Sequence, residues 1–67
     1  MAILKVIEIM ASSNKSWEDA ANNAVKEASK TLKNIKSVYL KDQSAHVEKG
    51  KISEFRVTTK ITFQLNR

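Results

Sequence analysis

Residues 52–65 have the sequence ISEFRVTTKITFQL, in which apolar and polar side chains alternate. One set of alternate positions holds the apolar residues, with a single threonine among them: Phe55, Val57, Thr59, Ile61, Phe63 and Leu65. Because successive side chains of a strand point to opposite faces, this period of two predicts a strand with one face on a core. The stretch is also rich in β-branched and aromatic residues, which favour strands. We therefore predict that it is the central strand of a small sheet.

The residues before residue 35 predict a strand, a loop and a helix. Residues 2–10 are mostly aliphatic and predict a strand, and the small polar residues 11–16 predict a loop. Ser16 is a suitable helix N-cap for the amide of Asp19, whose carboxylate is placed to complete a capping box. From Trp17 to about Lys33, apolar residues recur at helical spacing. These are Trp17, Ala20, Ala21, Ala24, Val25, Ala28 and Leu32.

Residues 35–47 predict a second strand, which a hairpin joins to the third. The turn is expected at residues 48–51, where Gly50, the only glycine, suits a positive φ angle. The resulting fold class is α+β, with the order β-α-β-β and the third strand between the other two, antiparallel to both. One helix covers one face of this sheet, so the other face is left to water or to neighbouring subunits.

The length of 67 residues allows one domain, spanning residues 1–67. So short a chain leaves much of its surface exposed when folded, and it usually needs disulfides, a metal or partner subunits for stability. The sequence has no cysteine and a single histidine, His46, which argues against disulfides and a structural zinc site. We therefore expect a homo-oligomer and no metal site.

The charge pattern and the reactive residues favour a binding protein over an enzyme. Twelve basic and seven acidic residues give a net charge of +5, but the lysines are scattered, which is typical of a solvated surface. A basic nucleic-acid-binding module is the less favoured alternative. No cysteine nucleophile, glycine-rich phosphate loop or histidine pair is present, so no catalytic residues are predicted. No apolar run is long enough to cross a bilayer, and a cytoplasmic location is expected.

An ordered set of residues over nearly the whole chain resembles one family. The set comprises Ser12-Ser13, Ser16-Trp17-Glu18-Asp19-Ala20, Ala24, Ala28, Thr31-Leu32, Asn34-Ile35, Asp42, Gly50, Phe55-Arg56-Val57-Thr58, Phe63 and Leu65. In these positions the chain resembles the dodecins, small flavin-binding proteins of bacteria and archaea. The resemblance implies a sheet that partly wraps one helix and a homododecamer, a hollow dodecamer of trimers. It also implies storage of a flavin (FMN, FAD or riboflavin) between subunits, without catalytic turnover.

The chain departs from the dodecin pattern at the residues that would touch a flavin. The resemblance places the stacking tryptophan of the family at Ser37 and its ring-binding glutamine at Arg56. Arginines that some members have fall at Ser44 and Gln64. Loss of the stacking ring removes about 1–3 kcal/mol per flavin, so we expect weakened flavin binding. Tyr39, two residues from Ser37 and on the same face, is a substitute platform, and Arg56 can stack or bind phosphate.

The candidate ligand-binding residues are therefore Ser37, Tyr39, Ser44, Arg56 and Gln64. The alternative to a flavin-binding protein is a structural or interaction shell that keeps the dodecin assembly and has lost the flavin site.

Overall fold

A computed structural model describes residues 2–65 of the chain. Its elements are strand β1 (Leu4–Ser13), helix α1 (Trp17–Ala28), strand β2 (Ile35–Glu48) and strand β3 (Lys51–Gln64). β3 lies between β1 and β2 and is antiparallel to both. The predicted α+β fold with β-α-β-β order is thus confirmed, and the alternating stretch is the central strand.

The core lies between α1 and one face of the sheet. Alternate residues of β3 are buried there, as the period of two predicts: Val57, Thr59, Ile61 and Phe63. Thr59 is fully buried, and its hydroxyl donates a hydrogen bond of 2.8 Å to the carbonyl oxygen of Ile9. Because that donor is satisfied inside the core, the threonine is tolerated among aliphatic residues.

Helix α1 faces the sheet with alanines. Ala20, Ala24 and Ala28 are buried, and the last two form a cluster with Ile61. Small side chains let the helix axis lie close to β1 and β3, the strands that it mainly contacts. Partly buried apolar residues complete the cluster: Ile7, Ile9, Ala11, Leu32 and Ile35.

The start of α1 is capped as predicted, with one difference. The Ser16 hydroxyl accepts a hydrogen bond of 2.9 Å from the amide of Asp19. The Asp19 carboxylate does not complete a capping box; it accepts a hydrogen bond of 2.6 Å from the hydroxyl of Ser13. Ser13 is buried at the end of β1, so this bond ties the strand end to the first turn of the helix.

The predicted helix end at about Lys33 was wrong, because α1 ends at Ala28. The Ser29 hydroxyl donates to the carbonyl oxygen of Val25, and the amides of Thr31 and Leu32 both donate to the carbonyl oxygen of Ala28. These bonds tighten the chain into a turn that leads toward β2. Leu32 still packs against the core, but it does so from this connection.

The predicted end of β1 at residue 10 was also wrong, because the strand continues to Ser13. Ala11, Ser12 and Ser13 pair with Val57, Arg56 and Phe55 of β3. Pairing with a long central strand outweighs the small and polar composition that suggested a loop.

The β2–β3 hairpin extends beyond the rest of the sheet. Its turn has positive φ angles at Lys49 (53°) and Gly50 (75°), the combination of a tight hairpin turn, as predicted for Gly50. β1 pairs with β3 only as far as Phe55, so the end of the hairpin is two-stranded. The molecule therefore measures 51 × 19 × 13 Å. Within residues 2–65, no helix has the length and apolar character needed to span a membrane.

Candidate ligand-binding site

The face of the sheet opposite α1 is not covered by any other element of residues 2–65, and we call it the open face. It carries the outward side chains of the three strands. From β1 these are Leu4, Val6, Glu8, Met10 and Ser12; from β3, Arg56, Thr58, Lys60, Thr62 and Gln64; and from β2, Ser37, Tyr39, Lys41, Asp42 and Ser44. All five predicted site residues lie on this face.

The register of the sheet sorts the open face into rows that cross β1, β3 and β2 in turn. The rows are Val6–Thr62–Ser37, Glu8–Lys60–Tyr39, Met10–Thr58–Asp42 and Ser12–Arg56–Ser44. Arg56 and Thr62 are six residues apart, which is about 20 Å along a strand. The predicted residues therefore fall into two groups, with Ser37, Tyr39 and Gln64 at one end and Ser44 and Arg56 at the other. A single subunit does not bring all five together.

The first group shares its end of the open face with two exposed apolar residues of β1, Leu4 and Val6. Tyr39 is 65% exposed, and Leu4 and Val6 are 55% and 54% exposed. Ser37 is also exposed and adds no bulk. This end of the sheet thus offers an aromatic ring on β2 and two apolar side chains on β1, with polar residues of β3 between them. An exposed ring suits a planar ligand, and exposed apolar side chains suit a second copy of the chain.

In the second group Arg56, but not Ser44, lines an open groove of about 230 Å³. The groove is lined by Met10, Ala11, Ser12, Glu54 and Arg56. The Arg56 Nε atom donates to the Glu54 carboxylate at 3.1 Å, and both side chains are nearly half exposed. Such an exposed ion pair contributes at most about 1 kcal/mol, so it orients the guanidinium without locking it in place.

At this end of the sheet, the first residue of helix α1 contacts β2 and β3 from the side opposite the open face. The Trp17 Nε1 group donates a hydrogen bond of 2.8 Å to the carbonyl oxygen of Ser44. Its ring also meets Phe55 edge to face, with centroids 4.9 Å apart. Trp17, which belongs to the apolar series of the helix, therefore packs against the sheet, and its ring lies on the helix side.

Ser12 lies beside the candidate residue Arg56, although the small polar composition of residues 11–16 predicts a loop there. A usable signal was present, since the alternation that places Val6, Glu8 and Met10 on one face continues to Ser12. Once the strand is extended, Ser12 falls beside Arg56.

The acidic residues and His46 do not form a metal site within one subunit. Among residues 2–65, no three histidine or carboxylate side chains come together in an arrangement that could hold an ion. His46 lies 3.8 Å from the Glu48 carboxylate near the hairpin end, where both side chains are exposed.

Comparison with known proteins shows that nearly the whole chain is similar to one family. The family model for dodecins matches residues 3–66. The dodecin of Streptomyces coelicolor is 26% identical, with a TM-score of 0.92 over 98% of this chain and 94% of that chain. A Thermus thermophilus dodecin mutant shares the fold, with 22% identity and a TM-score of 0.95 over 100% of both chains. A protein from Mycobacterium tuberculosis, described as a calcium dodecin with a novel calcium-binding site, is 32% identical, with a TM-score of 0.82 over 96% of this chain and 91% of that chain. No curated protein matches the chain significantly.

Proposed function

The chain belongs to the dodecin family, and from this we propose that it is a homo-oligomeric protein that binds a planar aromatic ligand between its subunits. The ligand that the family suggests is a flavin (riboflavin, FMN or FAD), and the assembly that it suggests is a homododecamer. The role is binding and storage, without catalytic turnover. Compared with dodecins that have the stacking tryptophan, this chain binds flavin more weakly.

The open face supports assembly. Besides Leu4 and Val6, Met10 is exposed there, at 72%. Full burial of one aliphatic side chain contributes about 1.5–3 kcal/mol, so covering these three exposed residues would stabilise each subunit by a few kcal/mol. A chain of this size gains little stability from one helix alone, and a second copy is the simplest cover for a sheet face of this kind.

The exposed Tyr39 ring is the observation that carries the ligand proposal. It lies beside Ser37, where the resemblance places the stacking residue, and both side chains point away from the core. A phenol ring two residues along the strand is displaced by about 6.6 Å from that position. We therefore expect stacking that is retained but less complete.

A fluorescence titration of purified protein with riboflavin tests the proposal. We expect quenching of flavin fluorescence at micromolar concentrations and a marked loss of affinity in Tyr39→Ala. Val47→Ala, which shortens another exposed side chain near the hairpin end, is the matched control and should leave binding unchanged. Absence of quenching by an intact assembly would remove flavin as the ligand.

The second candidate function is a shell that keeps the assembly and binds no flavin. It is favoured by Ser37, whose small side chain offers no ring surface to stack against. This candidate predicts a stable oligomer that is purified without flavin and shows no quenching. Flavin retained through purification would exclude it.

A further inference from the structure

We propose that the open faces of two copies of the chain pack against each other around a two-fold axis, with Lys60 of each copy paired with Asp42 of the other. The inference rests on the proposed function, because it states how one contact between subunits is made. It also brings a residue of the second copy next to Tyr39, so the candidate ligand site is complete only between two copies.

The two middle rows of the open face, which cross β3 at Lys60 and Thr58, hold charged side chains of both signs. The Lys41 Nζ atom donates to the Glu8 carboxylate at 3.3 Å, so these two charges are paired across the central strand. The side chains of Lys60 and Asp42 form no hydrogen bond or ion pair within residues 2–65. One positive and one negative charge therefore lie in the middle of the face without a counter-charge from the same subunit.

The relative position of these two charges suits a contact between identical faces. Asp42 is the cross-strand partner of Thr58, which lies two residues from Lys60 in β3. Such diagonal neighbours lie about 7–8 Å apart. A two-fold axis that runs between two facing sheets, midway between these residues, sets Lys60 of one copy opposite Asp42 of the other. The same operation forms the second pair, so one surface supplies both sides of the contact.

The neighbouring apolar side chains explain why this part of the face is covered and why its charges then need partners. Met10, in the row of Asp42, is 72% exposed, and Val6 lies in the row next to that of Lys60. A second copy that covers them also removes water from Lys60, which is already partly buried, and from Asp42. A charge that loses its water without gaining a partner opposes association. Reciprocal pairing offsets this cost and disfavours arrangements in which like charges meet.

The contact also adds an acceptor to the candidate ligand site. Lys60 is the direct cross-strand partner of Tyr39, and directly opposed side chains start about 4.5–5.5 Å apart. Asp42 of the second copy, when paired with Lys60, therefore lies near the Tyr39 ring. Its carboxylate oxygens can accept a hydrogen bond from an N–H or O–H group at the edge of a stacked planar ligand. The ring and the acceptor thus come from different copies.

Charge-reversal variants, compared by sedimentation velocity alone and mixed, test the proposal. In Lys60→Glu and in Asp42→Lys like charges face each other across the contact, so we expect self-association to weaken by at least about tenfold. An equimolar mixture of the two variants restores opposite charges in both pairs and should regain the assembly. Because effects within a subunit are the same in separate and mixed samples, this recovery reports the contact between copies. Lys26→Glu makes the same charge change on the exposed side of α1 and should leave the assembly unchanged.

The outcomes separate this contact from the proposed function. Folded variants that assemble as well as the unmodified protein, or weakened variants that mixing does not rescue, would overturn the reciprocal pair and leave the proposed function standing. Circular dichroism checks folding, and Lys60→Gln or Asp42→Asn, which leave one charge unpaired and should also weaken assembly, replace any variant that does not fold. Rescue by mixing without quenching of riboflavin would support the pair and reject flavin as the ligand. A folded monomer of the unmodified protein would overturn both proposals.

Discussion

Replacing Ser37 with tryptophan should tighten riboflavin binding by about 5- to 150-fold. Stacking of a ring on an aromatic side chain contributes about 1–3 kcal/mol, which corresponds to that range. Ser37 is exposed on the open face opposite Thr62, so the indole is added outside the core of the subunit. Its neighbour on the same face, Tyr39, lies about 6.6 Å along the strand and leaves room for a second ring.

The assay is the quenching of riboflavin fluorescence, measured on the unmodified protein, Ser37→Trp and the control Ser53→Trp. Ser53 is an exposed strand serine about 30 Å along β3 from Thr62, so a tryptophan there should not change the affinity. Sedimentation velocity confirms that each variant keeps the same assembly. Equal affinities of Ser37→Trp and the unmodified protein would show that a ligand does not stack at this position.

Two further substitutions test the assembly and the core. Val6→Glu places a charge on the apolar part of the open face, and we expect smaller oligomers with an unchanged circular dichroism spectrum; full-size oligomers in sedimentation would count against burial of that face. Ala24 lies on the face of α1 that packs against the sheet and is only 1% exposed. Ala24→Leu should therefore overpack this contact and destabilise the protein by about 1–3 kcal/mol. Urea unfolding at matched protein concentration measures this, and an unchanged midpoint would contradict close packing of the helix.

The fold could be predicted because its strongest signal lies in the strand that pairs with both others. The alternation from Phe55 to Phe63 fixes which face is buried, and the alanine stripe fixes how the helix lies. The ends of elements were less predictable. Leu32 follows Ala28 by four residues and fits a continuing helix equally well. The helix ends where the amides of Lys30 and Thr31 donate to carbonyl oxygens three residues back, those of Glu27 and Ala28. Likewise, Ser12 and Ser13 become strand residues because β3 extends beside them.

The layout of the candidate site depends on register, which the sequence does not reveal. Strict alternation along β2 from Ser37 would place Ser44 on the helix side of the sheet. A register shift between Leu40 and Asp42 reverses the alternation and brings Ser44 to the open face beside Arg56. The separation of Arg56 from Tyr39, and the support of Ser44 by Trp17, likewise follow from pairing across the sheet. No local pattern predicts such contacts between distant parts of the chain.

Native mass spectrometry of the purified protein gives the most direct test, because it reports stoichiometry and retained small molecules together. We predict a homododecamer that takes up riboflavin 5′-phosphate when the ligand is added before the measurement. A folded monomer in dilute solution would contradict the inference that copies of the chain cover the open face. A ligand held by a single subunit would contradict binding between copies.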